Sequence, residues 1–242
     1  LGNELEELCK SLHLSHVARR VGEIEYDSKE TFLINLLRHE ISCREAAKIE
    51  RFQKSAKFPS RKSLGGYEWH PHIKLPTAET RIELESCAFI QRAENVVLVG
   101  SPGTGKTHLA IGLGRKACEL GYETRFLRVS DLVIELEKHW RDHTLEQFKR
   151  RFDKVKCVIL DEMGYVPFTK EGSELLFQLI SDWYETKSII ITSNLEFSQW
   201  NRVFVDPRLT AALVDRLIHH AHILSFTGES YRLKNALSNT SK

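Results

Sequence analysis

The chain has 242 residues, 41% of them hydrophobic and 28% charged, the balance of a globular protein able to bury a core. Thirty-five Lys and Arg against thirty-three Asp and Glu leave a net +2, which excludes a uniformly acidic or basic tail. No apolar run approaches the roughly 18 residues of a membrane helix, and the acidic, interrupted stretch 1–7 is not a signal-peptide pattern. The cysteines (Cys9, Cys43, Cys87, Cys118, Cys157) are odd in number and contain no C-x-x-C pair, which argues against a disulfide framework and fits a reducing cytoplasm. His139 and His143, like His39 and Cys43, have i,i+4 spacing without the arrangement of a zinc-protease helix, and read as helix surface.

Residues 4–57 read as helical. Leu5, Leu8 and Leu12 recur at helical spacing, and Phe32, Leu33, Leu36, Leu37, Ile41 and Ile49 continue an apolar stripe. Asp27 or Ser28 offers a helix start, and the segment is expected to hold three short helices. Residues 58–76, punctuated by Pro59, Gly65, Gly66, Pro71 and Pro76, predict a linker or strap with little regular structure. Beyond residue 95, strands are expected at 96–99, 124–128, 155–160, 188–192 and 223–226, with helical patterns between most of them. That alternation predicts a parallel sheet with crossover helices.

The run Gly100-Ser101-Pro102-Gly103-Thr104-Gly105-Lys106-Thr107 satisfies G-x-x-x-x-G-K-[ST], following an apolar strand and opening the helical run that starts at His108. Glycines let successive backbone amides turn toward phosphate oxygens, and the helix N-terminus adds positive potential. Lys106 supplies a cation for the β- and γ-phosphates, and the Thr107 hydroxyl is a Mg²⁺ ligand. The strand 158–160 delivers Asp161, a second candidate for Mg²⁺, at the edge where doubly wound sheets bind ligands. Glu162 beside it is suited to orienting and polarising an attacking water. A third apolar strand ends in Thr192-Ser193-Asn194, where Asn194 can reach the γ-phosphate or the water. Asp215-Arg216-Leu217 lies on a helical pattern, and Arg216 reads either as a surface ion pair or as an arginine completing a neighbouring subunit's site.

These elements in this order resemble the AAA+ ATPases, and more narrowly the IstB family of insertion-sequence transposition helpers, related to the DnaC helicase loaders. The resemblance is carried by 105–110, 160–165, 192–194, 215–217 and Gly228-Glu229-Ser230-Tyr231-Arg232. It extends into the helical segment through 36–40 and 56–59, so it covers nearly the whole chain. It implies an α/β AAA+ P-loop core with a parallel sheet over 77–242, preceded by a small all-α domain (1–57) and the linker 58–76. Forty-eight residues follow Asn194, so little or no C-terminal lid is expected. Position by position, the resemblance implies ATP and Mg²⁺ as cofactors, His108 beside the phosphate loop, Asp161 and Glu162 as the Walker B pair, Asn194 as sensor 1 and Arg216 as a trans-acting finger. Arg232 stays open between a second nucleotide sensor and a brace for the C-terminal end.

Net charge also hides segregation. Residues 38–62 hold eight basic residues against three acidic, a local +5 that includes Lys48, Arg51 and Lys54. Residues 138–156 hold seven against three, a local +4 that includes Lys138, Arg141, Lys149, Arg150 and Arg151. Such clusters suit sequence-independent binding to phosphate backbones. In the resembled family the second region holds an extra helix that contacts DNA. The implied function is an ATP-dependent, DNA-binding regulator of transposition that assembles as a homo-oligomeric ring or spiral on double-stranded DNA and stimulates the transposase of the same element. A DnaC-like helicase loader is the alternative. A metabolite kinase would share the phosphate loop, but Glu162, Asn194 and Arg216 point to water as the acceptor.

Overall fold

The computed structural model describes residues 2–24, 26–165 and 167–231. Arg232 therefore lies outside the described residues. The chain divides into two compact units, Leu1–Arg51 and Phe52–Lys242.

In the first unit, α1 (Gly2–Ser11), α2 (Val17–Arg20) and the greater part of α3 (Lys29–Ala56) enclose a small core of Cys9, Val17 and Leu36, with Leu5, Leu14, Ala18, Ile24 and Phe32 against it. Two helices are short, as expected, but the third runs for 28 residues. The reason is plain in its composition: no Gly or Pro interrupts 29–56, so nothing stops helix propagation. The Ser28 hydroxyl accepts from the Thr31 amide and caps its start. Only part of the predicted stripe is covered, since Leu33, Leu37 and Ile41 are exposed. The buried carboxylate of Glu40 accepts from the His16 and Val17 amides at the start of α2 and from Arg44, at 2.7–3.1 Å. Burial by itself would push this carboxyl up; the Arg44 and His16 hydrogen bonds outweigh it and hold it below the ordinary range.

The second unit comprises β1 (Ile73–Lys74), α4 (Thr80–Glu85), α5 (Ala88–Gln91), β2 (Asn95–Gly100), α6 (Lys106–Glu119), β3 (Thr124–Arg128), α7 (Val129–Arg141), α8 (Leu145–Arg150), β4 (Cys157–Met163), α9 (Lys170–Trp183), β5 (Ser188–Ser193), a 3-10 turn (Phe197–Arg202), α10 (Pro207–Ile218) and β6 (Ala221–Phe226). Its sheet has the order β1-β6-β2-β5-β4-β3, parallel except for β1 on β6. One apolar cluster unites α7, α8, α9 and α10 with one set of strand side chains; a second unites α4, α5 and α6 with the other set. The strands β2, β4 and β5 are buried almost throughout, as a sheet covered on both faces requires.

Residues 58–76 are not a free linker. Phe58, Leu64, Tyr67, Trp69, Ile73 and Leu75 pack against the α6 side of the sheet, and β1 adds an edge strand that the sequence reading does not anticipate. The prolines and glycines preclude a helix, but the apolar residues between them bury enough surface to fasten the segment down. The boundary between units consequently falls within α3, at 51/52 rather than at 57/58.

Asn95 is a buried joint at the start of β2. Its Nδ2 donates to Leu217 O (3.1 Å), its Oδ1 accepts from the Ile189 amide (3.0 Å), and its own amide donates to His220 O (2.7 Å). One side chain thereby ties β2 to β5 and to the C-terminal end of α10.

Candidate functional site

The strands β2, β5 and β4 end side by side. Ser193 pairs with Val99 on one side and Met163 on the other, so the loops after all three strands open at one edge of the sheet. The first loop, 100–105, feeds directly into α6. Gly100 and Gly103 have φ of 139° and 79°, and neither has room for a side chain. A Cβ at Gly100 would lie 2.2 Å from Phe226 O, and one at Gly103 would lie 2.2 Å from Ser230 Oγ. Lys106, only 6% exposed, donates from Nζ to Gly100 O (2.7 Å) and Ser101 O (2.8 Å), holding the ammonium across the loop. Thr104 Oγ1 closes the same loop on Ser101 O, while Pro102 lies exposed at its tip.

Thr107, in the first turn of α6, donates from Oγ1 to Asp161 Oδ1 at 2.8 Å. The loop that precedes α6 and the end of β4 therefore meet at a hydroxyl–carboxylate pair. Those oxygen donors suit Mg²⁺, which prefers hard oxygen ligands supplemented by water and phosphate. Asp161 is 3% exposed, whereas Glu162 is the one exposed residue of β4. Two adjacent carboxylates thus face different surroundings, because β4 bulges between them. Leu160 pairs with Ile191 and Met163 with Ser193, which leaves Asp161 and Glu162 opposite the single residue Thr192. Glu162 takes φ +63°, a left-handed conformation costly for a residue with a Cβ. Asn194 follows β5 immediately, half-buried, beside the ends of β2 and β4.

The sheet edge brings together residues 100–107, Asp161, Glu162 and Asn194. It does not include Arg216, whose guanidinium stacks 4.8 Å from the Phe177 ring and donates to Ser181 Oγ on α9. The neighbouring Leu217 carbonyl is bound by Asn95 at the other end of β2 from Gly100. Five residue steps at ~3.3 Å put these ends roughly 16 Å apart. His108 is turned toward the strap: its ring meets Tyr67 edge-on at 5.2 Å, and Nε2 lies 3.3 Å from Ser63 O. Burial holds this imidazole below its ordinary range.

Several contributors have no role assigned from the sequence. Thr192 bonds both Asp161 and the Glu162 backbone. Tyr67 packs beside Gly105, and the Tyr231 amide donates to Gly103 O at 2.9 Å, laying the segment after β6 along the phosphate loop. The clustering of Tyr67, Trp69, His70 and His72 is a signal that could have marked 58–76 as packed chain; the hydroxyl two residues before Asn194 could have marked Thr192.

The basic segments are also placed. Lys48, Arg51 and Lys54 are exposed on α3, and Lys138 and Arg141 are exposed on α7. Arg150 is exposed at the end of α8, and Arg151 lies over the Phe148 ring. Lys149 instead pairs with Asp182 of α9 at 2.8 Å. All five cysteines are unpaired, and burial pushes the Cys87 thiol up to about 12.

A family model described as IstB-like ATP binding protein matches residues 5–239. An insertion sequence IS5376 putative ATP-binding protein of Geobacillus stearothermophilus is 38% identical over 236 residues, covering 95% of this chain and 94% of the relative. An insertion sequence IS21 putative ATP-binding protein of Pseudomonas aeruginosa is 37% identical, covering 96% of this chain and 89% of the relative. Among solved structures, a DnaC helicase loader superposes with a TM-score of 0.56 at 20% identity, over 73% of this chain and 99% of the other. AMPPCP-bound DnaA from Aquifex aeolicus gives 0.56 at 19% identity, over 70% and 51%. These two likenesses show the fold, a mostly parallel α/β sheet of AAA+ type.

Proposed function

The chain belongs to the IstB-like ATP-binding proteins, the ATP-binding helpers of insertion sequences, and from that premise we propose that it hydrolyses ATP in a homo-oligomer assembled on double-stranded DNA. In this reading the assembly remodels target DNA and stimulates the transposase of the same element, in the cytoplasm. The observation that carries the proposal is the separation of Arg216 from its own phosphate loop by the length of β2. An arginine at that end of the sheet does not reach its own nucleotide, which supports a role at a neighbouring subunit's site and turnover that depends on assembly.

The geometry supports the following roles. Backbone amides of 100–107 and Lys106 take the phosphates, and Thr107 and Asp161 would hold Mg²⁺. An ion held there would supply positive charge against the β- and γ-phosphates. Exposed Glu162 polarises the attacking water, and Asn194 orients that water or the γ-phosphate. Arg216 from the adjoining subunit stabilises the charge of the transition state. Lys48, Arg51 and Lys54 on α3, and Lys138, Arg141, Arg150 and Arg151 on α7 and α8, supply cations for DNA phosphates, with Lys149 partly committed to Asp182.

The test is ATP turnover and assembly with and without duplex DNA, for the wild type and Glu162→Gln. The expected result is DNA-stimulated turnover by the wild type. Glu162→Gln should bind ATP, turn over slowly and accumulate on DNA. Turnover by Glu162→Gln at the wild-type rate would remove Glu162 from its role. Stable capture of a replicative helicase, with no response to transposase, would overturn the transposition reading.

A further inference from the structure

We propose that Thr192 is a positioning residue for ATP hydrolysis: its single hydroxyl holds Asp161 and Glu162 in their divergent orientations. This rests on the ATPase reading above and adds to it a role for the first residue of the run Thr192-Ser193-Asn194, of which only Asn194 is given one there. Thr192 is 2% exposed, near the end of β5, and is the one residue opposite the two carboxylates at the bulge in β4. Its Oγ1 donates to Asp161 Oδ1 at 2.6 Å and accepts from the Glu162 amide at 3.0 Å.

A hydroxyl has one proton to donate and lone pairs with which to accept, so these two bonds fix its orientation. The amide of Glu162 has no regular rung to join, because the bulge takes it out of the β4–β5 ladder; the Thr192 hydroxyl supplies a substitute. That bond fastens the backbone at the residue whose φ is +63° and whose side chain leaves the sheet edge. The same hydroxyl braces the carboxylate oxygen that accepts from Thr107. A carboxylate at this position could not donate to Asp161, an ammonium could not accept from Glu162, and a methyl group could do neither. Thr192 thus sets the angle between the Mg²⁺-facing carboxylate and the water-facing one without itself touching nucleotide.

Thr192→Val keeps shape and removes the hydroxyl; Thr192→Ser keeps the hydroxyl and removes a methyl. Both are compared with the wild type in the full-length chain with ATP, Mg²⁺ and duplex DNA. For Thr192→Val, kcat is expected to fall on the order of 10- to 100-fold while affinity for ATP changes less than about threefold, since the phosphate loop is untouched. Thr192→Ser recovers most of the loss. Independently of turnover, hydrogen exchange at the Glu162 amide accelerates in Thr192→Val and not in Thr192→Ser. Wild-type kcat in Thr192→Val, an equal loss of kcat in both variants, or unchanged exchange at Glu162 overturns the proposal alone. Absence of turnover in the wild type, under conditions where it binds ATP and DNA, overturns the ATPase reading and the proposal with it.

Discussion

Replacing Glu162 by glycine and, separately, by glutamine divides the energetic cost of its backbone from the chemistry of its carboxylate. The side chain is exposed, so little packing is lost in either case. A left-handed conformation costs a residue with a Cβ about 1–2 kcal/mol, and glycine returns about 0.5–1 kcal/mol of that through its greater freedom when unfolded. The Gly variant should therefore exceed the Gln variant by about 0.5–1 kcal/mol. At roughly 2–4 °C per kcal/mol for a unit of this size, the difference in Tm is about 1–4 °C. All four tryptophans (Trp69, Trp140, Trp183, Trp200) lie beyond residue 51, so a thermal melt followed by their fluorescence reports on the unit that contains the bulge. Turnover should be strongly slowed in both variants, making glycine a change that stabilises relative to glutamine yet impairs activity. If the Gly variant melts with or below the Gln variant, the backbone at 162 is not strained and the bulge does not store the cost assigned to it.

Lys106→Ala should weaken ATP binding roughly 10- to 100-fold, the worth of about 1.5–3 kcal/mol for charge-assisted hydrogen bonds, as read by titration with a fluorescent nucleotide; unchanged affinity would remove Lys106 from the phosphates. Arg216→Ala should lower DNA-stimulated turnover by at least about 10³ with ATP affinity preserved. Mixing it with Lys106→Ala should restore activity, because an intact phosphate loop then meets an intact arginine; no recovery would place Arg216 outside a shared site. The depressed Glu40 carboxyl stabilises the first unit above the ordinary glutamate pKa of about 4.3. As pH falls through the lower folded-state value, that stabilisation should disappear. Exchange at the His16 and Val17 amides, normalised for intrinsic rates, should show protection lost over that window, and Glu40→Gln should abolish the pH dependence.

The phosphate-loop strand, its helix and the strands carrying Asp161 and Asn194 were legible because each combines a buried apolar run with a polar end, a local pattern. The long α3 was legible as helix but not in length, since its continuity follows from the absence of breakers rather than from the stripe. Residues 58–76 hid their packing behind prolines and glycines: those residues report the lack of a helix, not the burial of Tyr67 and Trp69 between them. The bulge at Asp161–Glu162 was not legible at all. It depends on how β4 registers with β5, and no spacing within 157–163 announces that two carboxylates will face one hydroxyl. Arg216 shows the same limit, because its distance from the phosphate loop becomes visible only through the joint at Asn95.

That joint has a mechanical consequence. A single amide couples the strand leading into the phosphate loop, the strand leading to Asn194, and the helix that presents Arg216. In the proposed assembly, β2 would thus link the phosphate loop at one end to the Asn95 joint at the other, beside the helix whose arginine would serve the neighbouring subunit. There, the nucleotide state of each subunit would be felt by one neighbour and not by the other. Asn95 would then be the hinge on which that one-way coupling turns, although it lies at the far end of β2 from the phosphate loop.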